Sequence, residues 1–181
     1  MWNISKDFYC DYGHRVWTQH LEEKYCSNGD TSCKCKHLHG HTGKITIFLE
    51  GSDLERGMVT DFKHLGSIGD FIDQYFDHKM ILDYSDPAFK ILTNYDWSEI
   101  PTNEIIFDGV LVGYEVDSSN MNLNEEELEF YESFFFVDFV PTSENLAKFI
   151  FDIAKKHLKE LAVVNQVSWK ETPKSCATYT Q

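Results

Sequence analysis

The sequence predicts an α+β fold: a four-stranded antiparallel sheet with two helices packed on one face. Three observations predict it. Alternating, strand-like runs lie towards both ends of the chain, two stretches carry apolar residues at helical spacing, and the order is strand, strand, helix, a long break, helix, strand, strand. At 181 residues, with 42% hydrophobic and 15% aromatic content, the chain is long enough for one domain with a proper core and is not disordered in composition.

Residues 2–14 read as the first strand. Residues 15–38 are loop-like, with the turn-rich run Asn28-Gly29-Asp30-Thr31-Ser32. Residues 41–50 alternate and form the second strand, closed by Gly51-Ser52-Asp53. Gly57-Met58-Val59-Thr60-Asp61-Phe62 leads into a helix whose apolar positions are Leu65, Ile68, Ile72, Tyr75 and Phe76, despite Gly66 and Gly69. Pro141-Thr142-Ser143-Glu144 supplies an N-cap and a first-turn acid for a second helix with the stripe Leu146, Phe149, Ile150, Ile153, His157 and Leu158. Val163–Thr172 is the third strand, and Ser175–Thr180 a short fourth. The domain spans 1–181, with residues 83–138 read as an insertion: a solvated surface excursion with a short helix near 124–132 and strands near 105–116.

Charge narrows the function classes. The net charge of −14 argues against a nucleic-acid partner, because phosphate binding needs a basic footprint. Residues 83–138 hold 14 of the 30 acids and a single base, Lys90, so the rest of the chain is nearly neutral and free to accept an anionic substrate. No apolar run approaches a membrane span, and the first residues lack a signal-peptide pattern, so a cytoplasmic location is expected. Five cysteines at irregular spacing fit free or reactive thiols better than a disulfide framework.

The most informative stretch is Cys33-Lys34-Cys35-Lys36-His37-Leu38-His39-Gly40-His41, just before the run Lys44–Leu49. Side chains at i and i+2 of an extended segment point the same way, so His39 and His41 can grip one metal ion from one face. One further ligand would complete a three-ligand zinc site with an open fourth position, the catalytic kind. His14 is a candidate, and His20, His37, His64 and His157 compete with it. A plain surface pair of histidines, or a closed structural site of Cys33, Cys35, His39 and His41, are the competing readings. Asp77-His78 reads from the dipeptide alone as an ordinary surface pair, and becomes a working carboxylate–imidazole pair only if the fold brings the two side chains together. Glu171, in phase with Val167 and Trp169, is open to two readings: exposure at the strand end, or a place on the apolar side, where a buried carboxylate needs a partner such as a guanidine-like ligand edge.

These residues together resemble the 6-pyruvoyl-tetrahydropterin synthase / 6-carboxytetrahydropterin synthase family. The resemblance covers about 4–82 and 138–180 and rests on motifs in order: Gly13-His14-Arg15, Cys35-x-x-x-His39-Gly40-His41, Gly57-Met58-Val59-x-Asp61-Phe62, Asp77-His78-Lys79, Pro141–Ala147 and Glu171-Thr172. It implies a tunnelling fold (T-fold), a homohexamer with sites built between subunits, and zinc held by His14, His39 and His41. It makes Cys35 the catalytic thiol, with a lowered pKa from zinc and the lysines at 34 and 36. Asp77 and His78 become its acid–base partners and Glu171 the anchor of the pterin's aminopyrimidine edge, with Thr142, Ser143 and Glu144 in or near the pocket. Lys34, Lys36 and Arg15 are the candidate triphosphate contacts.

The implied substrate is 7,8-dihydroneopterin triphosphate. The spacing of Cys35, four residues before His39, resembles the carboxy-forming, queuosine-pathway branch, whose products are 6-carboxytetrahydropterin, acetaldehyde and triphosphate. Cys33 stands six residues before His39, the spacing of the pyruvoyl-forming branch, which is the alternative.

Overall fold

The computed structural model describes residues 1–181. Its strands form one sheet in the order β4 (Thr102–Phe107), β5 (Val110–Val116), β6 (Phe134–Val137), β3 (Met80–Asp83), β1 (Trp2–His14), β2 (His39–Gly51), β7 (Val163–Thr172), β8 (Ser175–Thr180). Half of it is the expected unit. β1 (Trp2–His14) pairs antiparallel with β2 (His39–Gly51), β2 with β7 (Val163–Thr172), and β7 with β8 (Ser175–Thr180).

Two helices cover one face of this unit. α1 (Gly66–Tyr75) follows a short 3-10 turn capped by the Asp61 side chain, and α4 (Ser143–His157) begins at Thr142, whose hydroxyl accepts from the Asn145 backbone N–H. Ile68, Phe71 and Ile72 of α1 and Leu146, Ile150 and Phe151 of α4 share one buried cluster with Ile45, Ile47 and Leu49 of β2 and Val167 and Trp169 of β7. Burying such side chains supplies roughly 1.5–3 kcal/mol each, which is what holds both helices to the same face.

The sheet corrects the four-stranded expectation: it has eight strands and is mixed. β3 (Met80–Asp83) runs parallel to β1 beside Gly13, and β6 (Phe134–Val137) runs parallel to β3. The hairpin β4 (Thr102–Phe107) and β5 (Val110–Val116) completes that side, with Tyr114 opposite Phe136. Residues 83–138 are therefore not a solvated excursion. Phe135 and Val137 join the main core, while Phe134 and Phe136 face a second cluster with Leu82, Phe89, Ile100 and Tyr131. Burial of both faces turns β6 into a continuous apolar run. α2 (Phe89–Thr93) and α3 (Glu125–Glu132) enclose that second cluster, and Asn124 and Glu127 form a capping box at the start of α3. No helix is long and apolar enough to cross a membrane.

Candidate metal and active site

Register assembles the imidazoles. His14 ends β1 directly opposite His39, and Tyr12 stands opposite His41, so all three histidines project from one face where the two strands meet. Their ligand atoms lie within 4.8 Å of one another. Gly40 between the two β2 histidines is required by close packing: a Cβ there would sit 2.8 Å from the Tyr12 carbonyl oxygen.

The ring nitrogens are sorted by backbone carbonyls. His14 Nδ1 lies 2.6 Å from the Pro141 carbonyl oxygen, and His39 Nδ1 lies 2.8 Å from that of His37. With each Nδ1 engaged by a carbonyl, Nε2 is the nitrogen each ring can turn to a metal ion, the arrangement of metal-binding histidines. Nε2 of the fully buried His14 and Nε2 of His41 have no hydrogen-bond partner. Burial pushes His41 below the ordinary histidine pKa, the neighbouring His14 and His39 add to this, and Glu171 opposes it. Three imidazoles converging on one point, one buried and two half-buried, could hold a transition-metal ion. Tyr12 packs against the rings of His14 and His41, and its hydroxyl accepts from buried Trp169 Nε1 at 2.9 Å.

The competing histidines lie elsewhere. His37 contributes its carbonyl and not its ring, His20 is exposed beside Glu22, His64 bonds Thr60, and His157 bonds Asp108. No thiol joins the three imidazoles, so the closed Cys33, Cys35, His39, His41 site is not assembled: Cys33 Sγ turns to the Thr31 carbonyl.

Glu171 reaches the cluster from β7. Its Oε1 lies 3.2 Å from His14 Nε2 and 3.4 Å from His41 Nε2. His14 holds the Glu171 carboxyl below its ordinary value against the opposing effect of burial, with His41 and the Ser143 hydroxyl assisting. Ser143 therefore meets Glu171, Thr142 is occupied as the cap of α4, and Glu144 is exposed in its first turn.

Asp77 and His78 do form a pair. His78 Nδ1 lies 2.9 Å from Asp77 Oδ2, while Asp77 Oδ1 accepts the Asp11 backbone N–H at 2.7 Å. That backbone bond, then His78, lowers the Asp77 pKa. His78 takes a left-handed backbone (φ 58°), anchored by donation of its N–H to the Asp11 carbonyl at 2.6 Å. An open cleft of about 720 Å³ is lined by His39, His41, His78, Asp11, Thr42 and Met80 among others, while His14 and Asp77 lie outside its lining. His41 also borders a neighbouring cleft of about 550 Å³ with Lys44, Lys170 and Glu171.

Cys35 is half-buried on a 3-10 turn over Lys34–Lys36 and is not among the residues lining the 720 Å³ cleft. Lys34 and Lys36 are exposed there. Arg15, expected as a phosphate contact, is instead ion-paired at 3.0 Å with Asp86, whose side chain is fully buried. Sequence reasoning missed that pairing because its two members lie on segments far apart in the chain.

Comparison with known proteins gives the same picture. The chain is 32% identical over 190 residues to the 6-carboxy-5,6,7,8-tetrahydropterin synthase of Aquifex aeolicus, covering 98% of this chain and 97% of that protein. It is 31% identical over 184 residues to the enzyme of that name from Haemophilus influenzae, covering 99% of each. Among solved structures, an uncharacterized protein of Wolinella succinogenes superposes with a TM-score of 0.91 at 38% identity, covering 99% of this chain and 98% of that one. The 6-pyruvoyl tetrahydropterin synthase of Caenorhabditis elegans, at 19% identity and a TM-score of 0.53 over 99% of this chain and 94% of its own, shares the fold. The family model for 6-pyruvoyl tetrahydropterin synthase matches residues 3–181, and the chain belongs to that family.

Proposed function

We propose that the protein is a zinc-dependent 6-carboxy-5,6,7,8-tetrahydropterin synthase that converts 7,8-dihydroneopterin triphosphate to 6-carboxytetrahydropterin, acetaldehyde and triphosphate, a step toward 7-deazaguanine (queuosine-type) products. The observation that carries this reading is the convergence of His14, His39 and His41, whose ligand atoms lie within 4.8 Å of one another, in a chain that also pairs His78 with Asp77. The names of the Aquifex and Haemophilus relatives support the carboxy-forming outcome.

In this reading His14, His39 and His41 hold the ion. Zinc, when bound, supplies Lewis acidity to the side-chain hydroxyls of the substrate. Cys35 removes the proton from the adjacent carbon as thiolate base. His78, oriented by Asp77, moves protons to and from the side-chain oxygens. Glu171 accepts the N–H edge of the aminopyrimidine, a bidentate pairing that fixes ring orientation, while Thr142, Ser143 and Glu144 border the ring.

The reading extends to assembly. One T-fold domain spans 1–181, with 83–138 inserted, and it works in the cytoplasm as a homohexamer. Cys35 lies off the cleft of its own chain, the first residues of β1 are unpaired along one edge, and so is one edge of β8. Such edges recruit further strands, and pairing them between copies would bring a thiol from one subunit toward the dyad of another. The pyruvoyl-forming reaction is the second reading, favoured by Cys33 at its alternative spacing from His39.

Turnover of the pterin triphosphate by zinc-loaded and chelator-stripped protein tests the proposal. Activity should vanish on stripping and return with zinc. Activity that survives complete removal of metal would overturn it.

A further inference from the structure

We propose that the opening turn of the acidic segment, at Asp83 and Asp86, is the anchor of the loop that carries Cys35, so that the added half of the sheet positions the thiol. The inference rests on the reading of Cys35 as the catalytic thiol.

Residues 15–19 leave the metal cluster directly after His14 and are fastened at both ends. On one side they are attached to the acidic segment: Trp17 Nε1 donates to Asp83 Oδ2 at 2.8 Å, and Arg15 Nε is ion-paired at 3.0 Å with Asp86 Oδ2, although the two atoms are not aligned for a hydrogen bond. Both acids are buried, at 3% exposure each. Their turn is held rigid by its own bonds, from Ser85 N–H to Asp83 Oδ1 and from Ala88 N–H to Asp86 Oδ1. A buried carboxylate that has lost its cation is costly, so this attachment is not a loose surface pair.

On the other side the same five residues hold the thiol turn. Val16 N–H donates to the Cys35 carbonyl at 2.7 Å, and Cys35 N–H donates to Gln19 Oε1 at 2.9 Å. Gln19 N–H closes the unit on the Val16 carbonyl at 3.1 Å. Both backbone groups of Cys35 are thus tied to residues 16–19, and residues 15–17 are tied to Asp83 and Asp86. Elsewhere the thiol segment consists of short 3-10 turns with exposed side chains and no buried residue, so these bonds set where Sγ sits. Asp83, Asp86, Trp17 and Gln19 are positioning residues that act through the Cys35 backbone.

The test is the alkylation rate of Cys35 by iodoacetamide in the zinc-loaded full chain, followed by peptide mass spectrometry, with exposed Cys176 as internal reference. Trp17→Phe and Gln19→Ala should each speed Cys35 labelling about fivefold, the scale of one ordinary hydrogen bond, with Cys176 unchanged. Gln19→Glu, which still offers an acceptor, should restore the parent rate. Asp86→Asn should act in the same direction, and the two variants that keep both acids guard against its failing to fold. In turnover, kcat should fall while KM stays within about twofold. Labelling of Cys35 within twofold of the parent in folded Trp17→Phe and Gln19→Ala would overturn the anchor. If labelling responds as stated but the parent turns over no pterin, the anchor stands and the proposed reaction falls.

Discussion

Glu171 Oε1 stands 3.2 Å from His14 Nε2, and 3.4 Å from His41 Nε2. Those two nitrogens belong to the residues that would hold a metal ion, and a carboxylate so close to them would stabilise its charge. The residue proposed to recognise the pterin is also part of the electrostatics of the metal site. Glu171→Gln keeps the shape and removes the charge. Chelator competition should show zinc binding weakened about tenfold, the scale of losing a carboxylate beside a site, together with a raised KM for the pterin. Unchanged zinc affinity would separate the two roles.

The assignment of ligands and thiol makes opposite demands on two variants. His14→Ala removes the nitrogen that the Pro141 carbonyl orients, so metal content after dialysis should fall close to zero and turnover with it. Cys35→Ala should keep full metal and lose about 10²-fold or more in kcat, the scale of a general base. Elemental analysis alongside steady-state rates checks both, and retained zinc in His14→Ala would refute the ligand set.

Asp77 gives the acid dependence a sign. Its folded pKa is lowered by the Asp11 backbone N–H and then by His78. Its contribution is therefore fully present above the ordinary aspartate value near pH 4 and is lost as pH falls through the lowered folded value. The melting temperature of the parent should decline more steeply below about pH 4 than that of Asp77→Asn. The same variant should lose kcat at neutral pH, because His78 then lacks its orienting carboxylate. Parallel acid profiles would contradict this account.

Cys10 is the chemical opposite of a reactive thiol. It is buried, and burial raises its pKa to about 12, with Asp77, Asp11 and Asp73 adding to the shift. At pH 8 the native protein should take up iodoacetamide at exposed Cys176 and none at Cys10, which should label only after denaturation. Native labelling of Cys10 would place β1 outside the core.

Much of this was legible in the chain. Alternation over residues 41–50 found β2, helical spacing found α1 and α4, and the i, i+2 histidines suggested a metal face before any register was known. What stayed hidden is non-local. Spacing alone could not choose His14 over four other histidines, and only the family resemblance named it, because the choice depends on its standing opposite His39. β3 and β6 are four residues each, parallel and buried on both faces, and short apolar runs of that kind read equally as helix or strand. The acidic composition of residues 83–138 suggested a solvated excursion, because their exposed faces carry the charge while Phe134–Val137 carry the packing. The roles of Asp83 and Asp86 depend on Trp17 and Arg15, which only the fold brings near.

The most direct measurement of the central claim is mass-spectrometric product analysis after anaerobic incubation of the zinc-loaded protein with 7,8-dihydroneopterin triphosphate. The expected products are 6-carboxytetrahydropterin with stoichiometric acetaldehyde and triphosphate. Formation of 6-pyruvoyltetrahydropterin, or unchanged substrate with zinc fully bound, would contradict that claim.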